Sequence, residues 1–410
     1  MIPLCVRWRE SWSTGVLMKK TLEASMHSDA MEPLAFLPYG RQRIDEDDIA
    51  AVVEALRSDW LTTGPRVGGF EAAVCAFVGC EHGVAVSSGT AALHSAMQAI
   101  SVGPGDEVIV PAMTFAATAN CVVYQGGTPV FADVEPDTLL IDPADVARKI
   151  TPHTRAIIAV DYAGQPCDYD ALHDLAKAHD LVLVADACHS LGGSYKGRSV
   201  GRLADLTIFS FHPVKHITTG EGGMVVTDDE ILAGRMRRFR NHGIDTDHRQ
   251  REAANTWAYQ MIELGYNYRI TDLQAALGTS QLAKLPGWLD KRRALAAAYD
   301  AALADVEGVH PLIVRPGNMH AYHLYVVRVD DSGARGPIFA GLRQQGIGVN
   351  VHYLPVHLHP YYRDTFLTAP GLCSHAEAAY ESIVTLPLHQ GMDKNDVVRV
   401  VHALRRELGA

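Results

Sequence analysis

The sequence predicts an α/β fold, a mostly parallel sheet between helices, followed by a smaller α+β C-terminal region. Short, continuous apolar runs recur along the chain: VAVSS (84–88), EVIVP (107–111), PVFADV (129–134), AIIAVDY (156–162), LVLVADA (181–187), LTIFSFH (206–212) and GGMVVTD (222–228). Most are separated by helical patterns such as 168–179. Apolar runs without polar alternation suit strands buried on both faces, and their alternation with helices suits a parallel sheet. After a long helical stretch at about 271–305 the pattern becomes mixed.

The elements follow in order. Residues 1–34 carry Arg7, Arg9, Glu10, Lys19 and Lys20 among apolar residues, without a clean signal-peptide core. They also hold Met18, Met26 and Met31, so they read as a disordered leader or an upstream translation start. Residues 44–58 form an amphipathic helix opened by acidic residues, which suit a helix N-terminus. A second helix covers 69–78. VAVSS leads through Gly89-Thr90 into the helix AALHSAMQAI, and EVIVP leads into the helix TFAATANCVVYQ. Residues 245–260 are polar and aperiodic, hence a long loop. The long helix carries Leu273, Leu277, Leu282 and Leu285, then Lys291-Arg292-Arg293. Pro286 and Gly287 are expected to kink or break it. The tail offers strand-like HLYVVRV, VNVHYLPV and TLPL with two helices. The expected division is a leader at 1–34, a large domain at 35–290 and a small domain at 291–410.

The bulk properties exclude several classes. The chain has 410 residues, 48% hydrophobic and 20% charged, enough apolar material for a sizeable core. Its net charge of −11 argues against nucleic-acid binding, which rests on basic patches. Seven cysteines, at 5, 75, 80, 121, 167, 188 and 373, form no CxxC pair and fit reduced thiols in the cytoplasm. No apolar stretch approaches the roughly 18–20 residues of a membrane span.

Three segments carry chemistry. In TIFSFHPVKHITTGEGGM (207–224), Lys215 follows an apolar strand and sits in a Gly/Thr-rich loop. A lysine desolvated there has a depressed pKa and serves as nucleophile and base. In LVLVADACHSLGG (181–193), Asp186 ends an apolar strand, where α/β sheets bind ligands, although such an Asp also caps helices. In SSGTAAL (87–93), a strand turns into a helix whose free N–H groups suit a phosphate. Each signal is modest alone. Together they match pyridoxal phosphate, which needs a lysine Schiff base and a carboxylate that keeps the pyridine nitrogen protonated. No GxGxxG follows the first strand, which disfavours a nicotinamide enzyme. His212, His216, His352, His357 and His359 are not read as a metal site, because 20 histidines cluster by chance and Cys or carboxylate partners are missing.

These segments, with LTTGP (61–65), PAMTFAATAN (111–120), VDYAGQPCD (160–168), LGYNYRITDLQAALG (264–278) and GVNVHYLPVH (348–357), resemble the DegT-type sugar-nucleotide aminotransferases from about Pro38 to Leu408. The resemblance implies the fold-type I pyridoxal-phosphate architecture, with the cofactor in the large domain. VDYAGQPCD, FHPVKHITTGEGG and GVNVHYLPVH are most similar to the pseudaminic-acid branch. That branch aminates carbon 4 of a UDP-linked 2-acetamido-2,6-dideoxy-4-keto hexose, with L-glutamate as the expected donor. Dehydratase relatives carry His where this chain has Lys215, so amination is expected.

The resemblance also implies roles. Lys215 holds the cofactor and shuttles the proton, and Asp186 pairs with the pyridine nitrogen. Phe115 stacks on the ring and His189 lies near its phenolic oxygen. Gly89, Thr90 and Ser210 bind the phosphate, joined by Asn267 of the partner subunit, which makes the enzyme a homodimer. Tyr39, Asp59, Trp60, Leu61, Thr62, Ala91, Asn350, Val351, His352 and Tyr353 contact the nucleotide sugar. The alternatives are another TDP- or GDP-linked keto sugar, or a non-catalytic binding module on the same fold.

Overall fold

The structure is a computed structural model that describes residues 35–409, so the leader expected at 1–34 lies outside the described residues. Its main sheet has seven strands: β1 (His82–Val86), β2 (Glu107–Pro111), β3 (Thr128–Ala132), β4 (Thr154–Val160), β5 (Val182–Asp186), β6 (Leu206–Ser210) and β7 (Gly223–Thr227). Their order is β1-β7-β6-β5-β4-β2-β3. Only β7 runs antiparallel to its neighbours. The β6–β7 connection, residues 211–222, contains no helix, and an antiparallel return needs none. All strands except β7 therefore end at one edge of the sheet, the edge where such folds gather ligands.

The helices start where the sequence offers caps. Asp45 and Asp48 form a reciprocal capping box for Glu46–Arg57, and Thr271 with Gln274 forms another for Asp272–Leu303. The second helix spans Pro65–Val78, starting earlier than expected because Pro65 occupies its first turn.

The long helix corrects one expectation, since it runs unbroken through Pro286. Packing holds it across the lost hydrogen bond. Leu285, Trp288 and Leu289 are buried there, and Lys284 and Gln281 tie the preceding turn to Asp48. The helix also spans residue 290, where a domain division was expected.

The 245–260 loop holds a short helix, His248–Ala253, capped by Asp247. In the tail, β8 (Val309–Pro311), β9 (Tyr325–Val329) and β10 (Ile383–Leu386) form an antiparallel sheet in that order. VNVHYLPV is not a strand, a second correction. It meets β10 at one bridge, Asn350 to Thr385, while Val356 N donates to Ala112 O and several other polar groups find side chains. Val351 N donates to Asn350 Oδ1, Tyr353 N to Met113 Sδ, and His352 O accepts from the Tyr162 hydroxyl. The tail also has four helices, not two: Arg335–Gln344, Pro360–Phe366, Ser374–Ser382 and Lys394–Leu408. One apolar core surrounds the main sheet, and a second joins Leu295, Tyr299, Val327, Leu342, Val384 and Val400.

Candidate active site

The site begins with two glycines. Gly223 opens β7 and stands in register with both Val86 and Ser210. A Cβ there would lie 2.4 Å from Ser88 O, so only a bare backbone lets the β1 turn settle over this position. The settled turn places Gly89 against Ser210, where an added Cβ would stand 2.9 Å from Ser210 Cβ. Ser88 caps the helix Gly89–Ala99 by accepting from Ala91 N at 3.0 Å. The N–H groups of Gly89 and Thr90, in the first turn, have no intrahelical acceptor. Free donors, the helix dipole and a serine hydroxyl make an anion cradle.

Lys215 follows from the loop after β6. Its N–H donates to His212 O at 2.9 Å, and Thr218 Oγ1 and Thr219 N both donate to Phe211 O, closing the loop on itself. The half-buried side chain brings Nζ to 3.4 Å from His323 Nε2. Burial lowers the Lys215 pKa, opposed by the Cys188 and Asp186 side chains.

Asp186, at the end of β5, is 6% exposed. Its Oδ2 accepts from Thr118 Oγ1 at 2.7 Å and its Oδ1 from Cys188 N at 3.3 Å. A buried carboxylate held this way keeps one fixed orientation. Next to it, buried His189 meets the Tyr353 hydroxyl at 3.2 Å through Nε2 and packs at a tilt against His323, 4.3 Å between ring centroids. Its Nδ1 has no hydrogen-bond partner among the described residues. Burial, helped by Lys215, holds His189 well below the usual imidazole range, so it is neutral.

The remaining expected residues fall into two groups. Phe115 is 61% exposed, with its ring 6.1 Å from that of Tyr353. Tyr39 packs its ring 5.3 Å from His352, and Asn350 Nδ2 lies 3.3 Å from His352 Nε2. Val351 is half-buried, and buried Ala91 donates its N–H to Ser88 in the cradle turn. Asp59, Trp60, Leu61 and Thr62 are exposed elsewhere, where Leu61 O accepts from Asp272 N and Thr62 pairs with Thr271. Thr62 lines a separate cavity of about 770 Å³ with Glu71, Arg237, Arg240 and Arg269. Asn267 is exposed and bridged to Asn241. Among the described residues no hydrogen bond joins it to Ser210 or Lys215.

The sequence did not single out Thr118, His323 or Gly164. Thr118 was visible only as part of PAMTFAATAN. Gly164, with φ 107°, lets the 321–323 backbone press on His189, since a Cβ would sit 2.6 Å from His189 O and 2.9 Å from His323 N. Of the five histidines weighed for metal binding, His216 bonds Ala321 O and His357 pairs with Glu377. Among the described residues no cluster of three or more His, Cys, Asp or Glu is arranged to hold a metal.

Residues 42–405 match the DegT/DnrJ/EryC1/StrS aminotransferase family. The chain belongs to that family. The spore coat polysaccharide biosynthesis protein SpsC of Bacillus subtilis is 41% identical over 375 residues, covering 90% of this chain and 96% of SpsC. PseC of Helicobacter pylori, an aminotransferase involved in the biosynthesis of pseudoaminic acid, superposes with a TM-score of 0.86 at 34% identity, covering 91% of this chain and 99% of PseC. A putative sugar aminotransferase of Streptococcus pneumoniae, in its PMP form, also gives 0.86, at 33% identity over 90% of this chain and 98% of that one.

As a DegT-family aminotransferase the chain uses pyridoxal phosphate. The residues present fit that cofactor. The cradle at Gly89, Thr90 and Ser210 suits its phosphate, the fixed Asp186 carboxylate suits a protonated ring nitrogen, and the Lys215 amine, its pKa lowered by burial, suits a Schiff base.

Proposed function

We propose that the enzyme transaminates carbon 4 of a UDP-linked 2-acetamido-2,6-dideoxy-4-keto hexose, with L-glutamate as amino donor, as in pseudaminic acid biosynthesis. The observation that carries it is Lys215 set beside an oriented Asp186 and an anion cradle, in a chain that aligns with PseC over 91% of its length.

Bound pyridoxal phosphate supplies an electron sink and carries the amino group between two half-reactions. Lys215 anchors it through Nζ, then takes the proton from the donor's α-carbon and later delivers one to carbon 4 of the sugar. Asp186, held by Thr118, keeps the ring nitrogen protonated. Gly89, Thr90 and Ser210 hold the phosphate, and Phe115 and His189 confine the ring. Tyr39, Ala91 and the segment Asn350, Val351, His352 and Tyr353 orient the nucleotide sugar.

We place Asn267 of the partner subunit on the phosphate and Asp59, Trp60, Leu61 and Thr62 at the nucleotide end, within a homodimer. An exposed apolar stretch supports the dimer: Trp257 is 90% and Leu264 73% exposed, with Tyr259, Met261 and Ile262 between them. Single exposed apolar residues are ordinary, but a contiguous run marks an interface. Among the described residues no helix is long and apolar enough to cross a membrane, and we assign the enzyme to the cytoplasm.

A second reading, amination of a different nucleotide-linked keto sugar, draws on the higher identity to SpsC, 41% against 34% for PseC. Incubation with ¹⁵N-glutamate and the UDP-linked 4-keto sugar separates them. The first reading expects a sugar product in which a ¹⁵N amino group and a hydrogen replace the ketone oxygen at carbon 4. Absence of that product, with ¹⁵N accepted by a TDP- or GDP-linked ketone, favours the second.

A further inference from the structure

His323 is 5% exposed and belongs to none of the roles above. Its place is strongly determined. Arg292, buried in the long helix, donates through Nη1 to Tyr322 O at 3.0 Å, Leu388 O at 3.0 Å and His323 O at 3.5 Å. Its Nη2 donates to Gln390 Oε1 at 2.8 Å. The ring itself packs at a tilt against His189 and lies 5.8 Å from that of His216. Its Nε2 then meets Lys215 Nζ at 3.4 Å, while Nδ1 has no hydrogen-bond partner among the described residues.

That unequal pairing fixes the direction of the hydrogen bond. A proton on Nδ1 would strand a buried donor, whereas a proton on Nε2 leaves only an unused lone pair on Nδ1. Nε2–H then points at Nζ, and Nζ receives it only as a neutral amine. The titratable groups facing Nζ are Asp186, Cys188, His189, His216, His323 and His352. Burial keeps the four histidines neutral, so none of them repels the amine or accepts its proton.

We infer that His323 is a positioning residue for this site: its Nε2–H donates to Lys215 Nζ and parks the lysine as a free amine whenever that side chain is released. The inference rests on Lys215 being the reactive amine. A lysine released in mid-reaction has to accept a proton, and a parked neutral amine is ready to do so.

The test follows Lys215 in the cofactor-free protein, where no turnover is needed. Trace acetylation with acetic anhydride across a pH series, read on the Lys215 peptide by mass spectrometry, gives the pH midpoint of the amine. His323→Gln sets an amide near the position of Nε2, and its carbonyl accepts from an ammonium. His323→Asn leaves an amide too short to reach Nζ. Both variants are expected to raise the midpoint, the Gln variant by about one pH unit. A midpoint that falls or stays fixed in both would overturn the inference, because it would mean that His323 accepts from the ammonium or does not contact it. If one variant does not fold, the other decides alone. The visible absorbance of the loaded wild-type and Lys215→Ala proteins tests the assignment of Lys215 separately.

Discussion

Thr118 Oγ1 donates to Asp186 Oδ2 at 2.7 Å and so links the helix Ala117–Tyr124 to the end of β5. Thr114 Oγ1 lies 2.8 Å from Thr118 Oγ1 and extends the chain of hydroxyls. The carboxylate proposed to face the ring nitrogen is thus aimed from behind. A hydrogen bond to a buried charged group contributes about 1.5–3 kcal/mol.

Thr118→Val keeps the shape and removes the donor. Its kcat/KM is expected to fall at least about tenfold, the equivalent of 1.4 kcal/mol. Steady-state kinetics on the loaded enzyme check this. Wild-type rates would show that Asp186 needs no such support.

Gly89→Ala puts a methyl 2.9 Å from Ser210 Cβ, and Gly223→Ala puts one 2.4 Å from Ser88 O. The second neighbour is backbone and yields less. Both variants are expected to bind pyridoxal phosphate more weakly, Gly223→Ala by more than about tenfold. Titration of the cofactor-free protein, followed by absorbance, measures it.

Arg292 is 1% exposed and has no carboxylate partner among the described residues. Its charge rests on backbone carbonyls and the Gln390 amide, and burial lowers its pKa to about 10. Arg292→Met fills similar space but strips those carbonyls of their donor. A loss of roughly 3 kcal/mol is expected, within the range for removing one member of a buried polar set. Urea unfolding reads it as a lower midpoint, and an unchanged midpoint contradicts the clamp.

Asp161 follows β4, is fully buried, and has its pKa raised to about 6 by burial, against the hydrogen bonds from Ser190, Cys167 and Tyr169. A carboxyl whose folded pKa lies above its unfolded value binds its proton more tightly when folded. Its contribution to stability is therefore complete below about pH 4 and is lost as the pH rises through 6. Over that window it amounts to roughly 3 kcal/mol. Asp161→Asn is expected to remove this component. The stability difference between variant and wild type, measured by urea unfolding at pH 4.5 and 7.5, should then grow in the variant's favour. A difference that does not change with pH contradicts it.

Much of this was legible in the sequence because one-dimensional signals determined it. Every strand of the main sheet contained a short apolar run, and Asp186 and Ser210 sat at the ends of two of those strands. The turn into Gly89 was visible as small residues before an apolar helix. Other features depend on contacts between distant segments. Pro286 looked like a break because local rules count its missing N–H but not the burial of Leu285 and Leu289. VNVHYLPV looked like a strand because its apolar content is right, yet Tyr162, Met113 and Asn350 take its polar groups. Thr118 and His323 lie 68 and 108 residues from the side chains they support, and no local pattern connects them.

The central claim is that Lys215 makes this chain an aminotransferase for a UDP-linked keto sugar. The most direct measurement is an absorbance scan of the loaded protein, first alone, then with L-glutamate, then with the sugar. The expected result is a visible band that glutamate bleaches and the sugar restores, and that Lys215→Ala lacks entirely. A Lys215→Ala protein that keeps the band and turns over repeatedly would contradict it.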